Sequence, residues 1–303
     1  HTVVLSGIRD GAGNASPDLT VPVTVDYEAD EKGPTLLATA FDKNVLWHGN
    51  WESPFSKDKS FRGRRDQKTA LVHEPGEPGF LRMTLDGSHG HLARRWREKW
   101  VPANHPFLAF RVRYPEVAER DDVRVLLNLR CNRGRSYDLS LAGETGDAIE
   151  LPEPIAWKGG EWHPVLLNLR DIIRTVEVER HLKRHRKGKE AAEKHASELL
   201  EKLRVVWLKW RIYGGRKKDA VDLQSMFVFA PWKPNHKISM TSYDAVGVAG
   251  LTAETDGGTQ TVDGSSISFK TLSANGKPGR WTAVHPRDKA GNLGIPVYVP
   301  LGE

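Results

Sequence analysis

The sequence predicts an all-β protein: a long-stranded central sandwich carrying a helical insert, a smaller sandwich after it and part of another before it. Three observations carry this expectation. A phrase of the form D-x-A-G-N occurs near both ends, as Asp10-Gly-Ala-Gly-Asn14 and as Asp288-Lys-Ala-Gly-Asn292. Seven segments between residues 80 and 229 alternate apolar and polar side chains with the period of half-buried strands. Between residues 237 and 299, five shorter strand-like segments are separated by clusters of Asp, Gly and Asn.

Residues 1–34 read as a hairpin followed by a linker. The first phrase runs into Leu19-Thr-Val-Pro-Val-Thr-Val25, and the second into Ile295-Pro-Val-Tyr-Val-Pro300. Gly and Asn tolerate positive φ and an Asp side chain closes an Asx turn, so each phrase is expected to form a tight hairpin. The prolines place each outgoing strand at a sheet edge. Thr2–Arg9 supplies the incoming strand of the first copy. A lone hairpin is marginal in water. It is therefore expected either to pack on the centre or to be completed by strands of a longer parent polypeptide or of a neighbouring subunit; a larger multi-domain parent is the favoured source. The chain opens inside a strand-like segment with no secretory leader, so any leader or earlier domain is expected to lie outside it. Tyr27–Pro34 is acidic and then broken by Gly-Pro, as a linker is.

Residues 35–232 form the expected central sandwich. Its strands are Phe80–Leu85, Phe107–Arg113, Val123–Leu129, Tyr137–Leu141, Trp162–Leu169, Val205–Ile212 and Leu223–Phe229, long enough for a jelly roll. An insert at about 171–204 departs from this pattern. Ala192, Ala196, Leu199 and Leu203 recur at helical spacing, and Arg180–Lys189 holds six Lys or Arg and two His with no acid. Gly188 breaks the run, so a charged helical hairpin is predicted. Residues 233–303 then supply the small sandwich.

The D-x-A-G-N hairpin before a last strand resembles the F–G hairpin of bacterial immunoglobulin-like domains, found in repeats on secreted and cell-surface proteins; the resemblance covers roughly 1–33 and 236–303. In the middle, Pro106–Arg113, Tyr137–Leu141, Glu161–Leu169 and Ala220–Val228 follow one another in an order similar to galactose-binding-like and lectin-like jelly rolls of bacterial carbohydrate-active and surface proteins. The resemblance implies a secreted or surface setting and a carbohydrate ligand. It also implies a structural calcium held by carboxylates and carbonyls, with Asp222 and either Asp42 or Glu52 as its ligands.

Composition bounds the partners. Of 303 residues, 38% are hydrophobic, ten are Trp, and no stretch approaches the ~18 apolar residues that cross a bilayer. The net charge is +6, with two basic against six acidic residues in 1–35 and seven against six in 233–303, so +9 falls on 36–232. A polyanion would therefore meet the middle. A single Cys131, in the alternating Val125–Cys131, excludes an internal disulfide framework and reads as a small buried residue.

No phosphate loop, G-x-S-x-G elbow, H-E-x-x-H or paired carboxylates mark an enzyme. His89 and His91 alternate on a strand and could bind a metal or act as acid and base. His48, His73, His105 and His163 are scattered and read as structural. Sugar rings stack on indoles while planar donors grip their polar groups. Trp51 and Trp96 are the candidates for exposed stacking; at least three of Trp47, Trp162, Trp207 and Trp210 read as core. Arg62, Arg64, Arg65, Arg94, Arg95 and Arg97 could supply bidentate donors to carboxylate or sulfate. The basic insert could meet nucleic acid, but no nucleic-acid module is present, and an acidic polysaccharide or cell-wall polymer fits better. The resulting expectation is a non-catalytic carbohydrate-binding protein. Two alternatives stay open: a structural unit of a surface layer, stalk or fibre, and a jelly-roll lyase or hydrolase using His89 or His91 with Tyr137 and arginines.

Overall fold

The computed structural model describes residues 2–7, 9, 11, 13–22, 32–41, 43–49, 51, 53, 61–63, 68–87, 89–114, 123–143, 146–151, 155, 157–185, 188–230, 236–244, 247–255, 258–269 and 280–301. β1 (Thr2–Leu5) and β2 (Leu19–Pro22) form the first hairpin, and β3 (Thr35–Phe41) follows the linker. The central sandwich begins with β4 (Val45–His48), β5 (Arg62–Gly63), β6 (Lys68–Val72), β7 (Phe80–Thr84) and β8 (His89–Arg95). It continues through β9 (Phe107–Arg113), β10 (Arg124–Cys131), β11 (Ser136–Ala142), β12 (Ile149–Glu150) and β13 (His163–Asn168). Helices α1 (Leu169–His185) and α2 (Lys189–Lys202) come next, and β14 (Val205–Tyr213) and β15 (Ala220–Phe229) close it. The last part holds β16 (His236–Tyr243), β17 (Val248–Thr255), β18 (Gly258–Asp263), β19 (Ser266–Phe269), β20 (Arg280–Asp288) and β21 (Val297–Leu301).

Two sheets face each other in the centre, in the order β12-β11-β10-β14-β8-β5 and β13-β9-β15-β7-β6, with β4 also paired to β15. Alternation turns Leu127, Tyr137, Leu208 and Trp210 of the first sheet onto Met83, Phe110, Leu223 and Val228 of the second. Burying this many large side chains is the main stabilising contribution, at about 25 cal/mol per Å² of apolar surface.

The helical hairpin enters between β13 and β14, as expected. Asn168 caps its start, its Oδ1 accepting from the Asp171 amide at 3.3 Å. Leu169, Ile172 and Ile173 of α1 and Ala192, Ala196 and Leu199 of α2 are buried. A polar tie also fixes α1: Glu177, 2% exposed, accepts from the Tyr137 hydroxyl at 3.1 Å and pairs with Arg180 at 2.8 Å and Arg135 at 3.4 Å. Nearby, Cys131 is buried as expected, its thiol pushed up to about 12 by burial and then by Glu177.

The small sandwich differs from expectation in where it begins. Its two sheets run β19-β16-β3 and β18-β17-β20-β21, so β3 belongs to it and not to the central sandwich. Met240 faces Thr39 and Ile238 faces Phe41 in that ladder. The boundary placed at residue 34 therefore falls after Phe41. The central sandwich is an insertion between two neighbouring strands of the small one. Leu36, Ile238, Val284 and Val299 share one apolar cluster with Phe107, Phe227 and Phe229 from the outer face of the second central sheet.

The described residues of the two D-x-A-G-N phrases share a left-handed glycine and a closing bridge. In the second, both Asp288 carboxylate oxygens accept from Asn292, from its amide and from its side-chain Nδ2, each at 2.8 Å, and Gly291 takes φ +97°. In the first, the equivalent Gly13 takes φ +88°, and the bridge Arg9–Ala15 matches Arg287–Leu293. As the prolines required, β21 is an edge strand, while β1 and β2 make a two-stranded sheet. The second loop also receives the linker. A Cβ on Gly33 would collide with the backbone of Leu293 and Gly294, and one on Gly294 with the Pro34 carbonyl.

One half-buried group makes stability depend on pH. Burial lowers the His105 pKa, and its Nδ1 has no partner among the described residues. Below the ordinary histidine value of ~6.5 the unfolded chain therefore takes a proton that the folded one resists, so stability rises with pH through that window and falls below it. Thermal melts at stepped pH should show this slope, and His105→Gln should flatten it; an unchanged slope in the variant would refute the assignment.

Candidate functional site: the outer face of the six-stranded sheet

The two sheets of the central sandwich have different outer faces. That of the second sheet is partly covered by the small sandwich through Phe107, Phe227 and Phe229. The rest carries a network centred on Asp222, which is fully buried. Its Oδ1 accepts from Arg82 Nε at 2.7 Å and its Oδ2 from Arg82 at 2.8 Å and Arg113 Nε at 3.0 Å. These bonds hold the Arg82 guanidinium above its ordinary pKa. Arg111 lies 3.6 Å over the Tyr298 ring of the small sandwich, joining the two bodies.

The outer face of the first sheet joins neither apolar cluster. Register arranges its side chains in rows across the strands. One row is Ser136, Arg130, Trp207 and Arg95. The next is Asp138, Asn128, Lys209, Ala93 and Arg62. Ser140, Leu126, Arg211 and His91 follow, with Glu150 beside Ser140, and then Arg124, Tyr213 and His89. Asn128, Leu126 and Ser140 are buried beneath their neighbours and form a floor, while Trp207, Lys209, Arg211 and Tyr213 stand half-buried along β14. From Trp207 to Tyr213 the strand runs about 20 Å.

Polar contacts fix this surface. Asn128 Nδ2 donates to Ser136 Oγ at 2.8 Å and to Asp138 Oδ1 at 2.7 Å, and Arg211 pairs with Asp138 at 3.7 Å. Lys209 lies 5.6 Å from the Trp207 ring and Arg124 5.9 Å from that of Tyr213, and His89 meets the Tyr213 ring edge-on. The Lys209 pKa is lowered, first by burial and then by Arg211 and Arg130. Arg62, Arg95, Arg124, Arg130, Lys209 and Arg211 thus face only the carboxylates of Asp138 and Glu150 among the described residues of these rows.

Of the residues singled out in the sequence, His89, His91, Arg62 and Arg95 come together on this face. Others are corrected. Trp51 is 0% exposed and Trp96 5%, packed among Trp47, Phe61 and Trp100, so neither is an exposed stacking platform. Arg94 points inward with them, 4.0 Å over Trp47 and 4.4 Å over Trp96, and pairs with Glu98 at 2.9 Å, so it is no ligand donor. Arg97 is exposed beyond the end of β8. Trp210 is core and Trp47 packs on it, as expected, whereas Trp207 stands on the open face and Trp162 packs against Phe80 outside both clusters.

Asp222 is also corrected, because two guanidinium groups occupy both its oxygens and leave a cation no free donor there. Asp42, Glu52, Arg64 and Arg65 lie outside the described residues. The proposed catalytic grouping is not assembled either: Tyr137 faces the core, whereas His89 and His91 are on the opposite side of the same sheet. Lys209, Arg211, Tyr213 and Asp138 were missed. The alternation Trp207, Lys209, Arg211, Tyr213 was the available signal, since Leu208, Trp210 and Ile212 fill the other phase.

No helix among the described residues is long and apolar enough to cross a membrane. No family model and no curated protein matches the chain. Among solved structures it is similar to a β-1,2-glucanase from Parabacteroides distasonis, at 11% identity and TM-score 0.34, over 80% of this chain and 37% of that one. It thus spans little more than a third of the glucanase. It is also similar to the CBM22-1 xylan-binding domain of Paenibacillus barcinonensis Xyn10C, at 9% identity and TM-score 0.32, over 64% of this chain and 97% of that one. A family 11 carbohydrate-binding module from Clostridium thermocellum, in complex with a mixed-linked tetrasaccharide, overlaps 66% of this chain and 96% of its own at 9% identity and TM-score 0.29. Overlaps this loose leave the ligand of this chain to be argued from its own residues.

Proposed function

We propose that the outer face of the first sheet binds a carbohydrate chain, and an anionic polysaccharide in particular. One observation carries this reading: β14 presents Trp207, Lys209, Arg211 and Tyr213 in alternation on the sheet face that neither apolar cluster uses. A sugar ring offers its C–H face to an indole or phenol. Carboxylate or sulfate groups along the polymer pair with Lys209, Arg211 and the arginines of the neighbouring strands. Asp138, held in place by Asn128 beneath it, accepts from hydroxyls. The protein is read as a non-catalytic module of a multi-domain secreted or cell-surface protein. Its small sandwich, split three strands and four between its sheets, is read as immunoglobulin-like, and β1–β2 as the closing hairpin of another such module.

Affinity electrophoresis through a panel of acidic and neutral polysaccharides tests this. Binding to an acidic polymer should weaken about tenfold in Trp207→Ala, equivalent to ~1.4 kcal/mol. It should weaken further with added salt and in Lys209→Ala. Silence across the panel, or retention unchanged by both substitutions, would sink the reading. The structural alternative is favoured by the two-stranded N-terminal hairpin, whose edges could take strands from another copy; filaments without monomers under the electron microscope would establish it.

A further inference from the structure

We propose that His181, His185 and His195 bind a divalent transition-metal ion of the zinc, nickel or copper class at the tip of the helical hairpin. His181 and His185 lie four residues apart on α1, so they share one face, one turn apart. That spacing on a helix lets two imidazoles hold one ion. The third ring comes from α2. The centroid of His181 is 4.6 Å from that of His185 and 4.6 Å from that of His195, with interplanar angles of 43° and 34°. Three imidazoles from two helices are thus gathered at one place, and the glycan face uses none of them.

The rings of His185 and His195 are each tilted against that of His181, and no group of three His, Cys, Asp or Glu among the described residues is placed to hold a metal ion without side-chain rotation. Coordination requires the two outer rings to rotate towards one edge of His181. A tetrahedral ion with nitrogen ligands at 2.0–2.1 Å holds its donor atoms about 3.3 Å apart. His185 and His195 are exposed, so both rings are free to turn on their side-chain bonds towards His181. Imidazole nitrogen suits zinc, copper and nickel over calcium or magnesium. Arg180, Lys183 and Arg184 on α1 and Lys189 and Lys194 on α2 flank the cluster, with Glu190, Glu193 and Glu198 on α2. Three imidazole ligands leave a fourth position for water or an anion. A bound ion would tie α1 to α2.

Isothermal titration of the whole, chelator-treated chain with zinc chloride and, separately, nickel chloride tests this at pH 7.5. One ion should bind per chain, and affinity should fall about tenfold or more in His185→Ala and in His195→Ala. Both side chains are exposed, and far-UV circular dichroism should show both variants folded. Binding should also vanish at pH 5, where protons compete for the same nitrogens. Absence of saturable binding overturns the proposal. So does binding that survives either substitution unchanged, which would place the ion elsewhere.

Discussion

Replacing Asp222 by alanine should lower stability by about 3–5 kcal/mol, the cost of removing one partner from a buried ion pair. The carboxylate is 0% exposed and lies between Arg82, 31% exposed, and Arg113, 15% exposed. Without it, the two guanidinium groups face each other with Glu74 as their remaining partner, at 3.8 Å and 3.5 Å. Arg111 adds a third cation on the same face, where burial already lowers its pKa. At about 2–4 °C per kcal/mol for a domain of this size, the melting temperature should drop by roughly 6–20 °C. Scanning calorimetry measures this directly, and a drop below ~2 °C would show that the network is dispensable. Arg82→Leu combined with Asp222→Ala should recover part of the loss, because the pair is removed together and one cation no longer stands alone.

Trp51→Ala should cost about 3–5 kcal/mol by leaving a large cavity between the sheets. The indole is 0% exposed, with its ring centre 6.1 Å from that of Trp47 and 5.7 Å from that of Phe61. Gly49 makes the close approach possible: a Cβ there would stand 2.9 Å from atoms of both Trp47 and Trp51. Trp51→Phe should be much milder. Trp51 Nε1 is buried without a hydrogen-bond partner among the described residues, so losing that N–H offsets part of the lost contact area. Urea unfolding of the two variants checks the order. Equal losses would mean that the site collapses around alanine and the ring is not packed as described. The same measurement separates stability from binding, since a glycan-binding defect in Trp51→Ala would follow from unfolding and not from lost stacking.

The periodic parts of the fold were legible in the sequence because they depend on neighbours along the chain. The long strands, the helical insert and the turn at Asp288–Asn292 follow from alternation, helical spacing and a left-handed glycine. Trp207 shows where that reading stopped. Its size suggested core, yet Lys209 and Arg211 occupy the same phase of β14, and following that phase leads to the open face. Trp51 and Trp96 failed the other way, since Gly and Arg neighbours suggested exposed loops while Arg94 turns inward to cap the indoles. The flanking of β14 by β10 and β8 is a long-range choice that no local pattern encodes. The same holds for Asp222, whose alternation could not reveal two arginines from β7 and β9.

The pairing of β3 with β16 has a consequence for how the chain assembles. These two strands are neighbours in one sheet, yet everything between residues 41 and 236 must be synthesised before they can meet. Closing so long a loop by chance carries an entropic cost that grows with its length. The central sandwich removes most of that cost, because its own first and last strands pair, with Val45 opposite Phe229. Once folded, it presents the two waiting segments side by side. A route in which the inserted body folds first and the outer one closes on it therefore avoids most of the loop-closure cost.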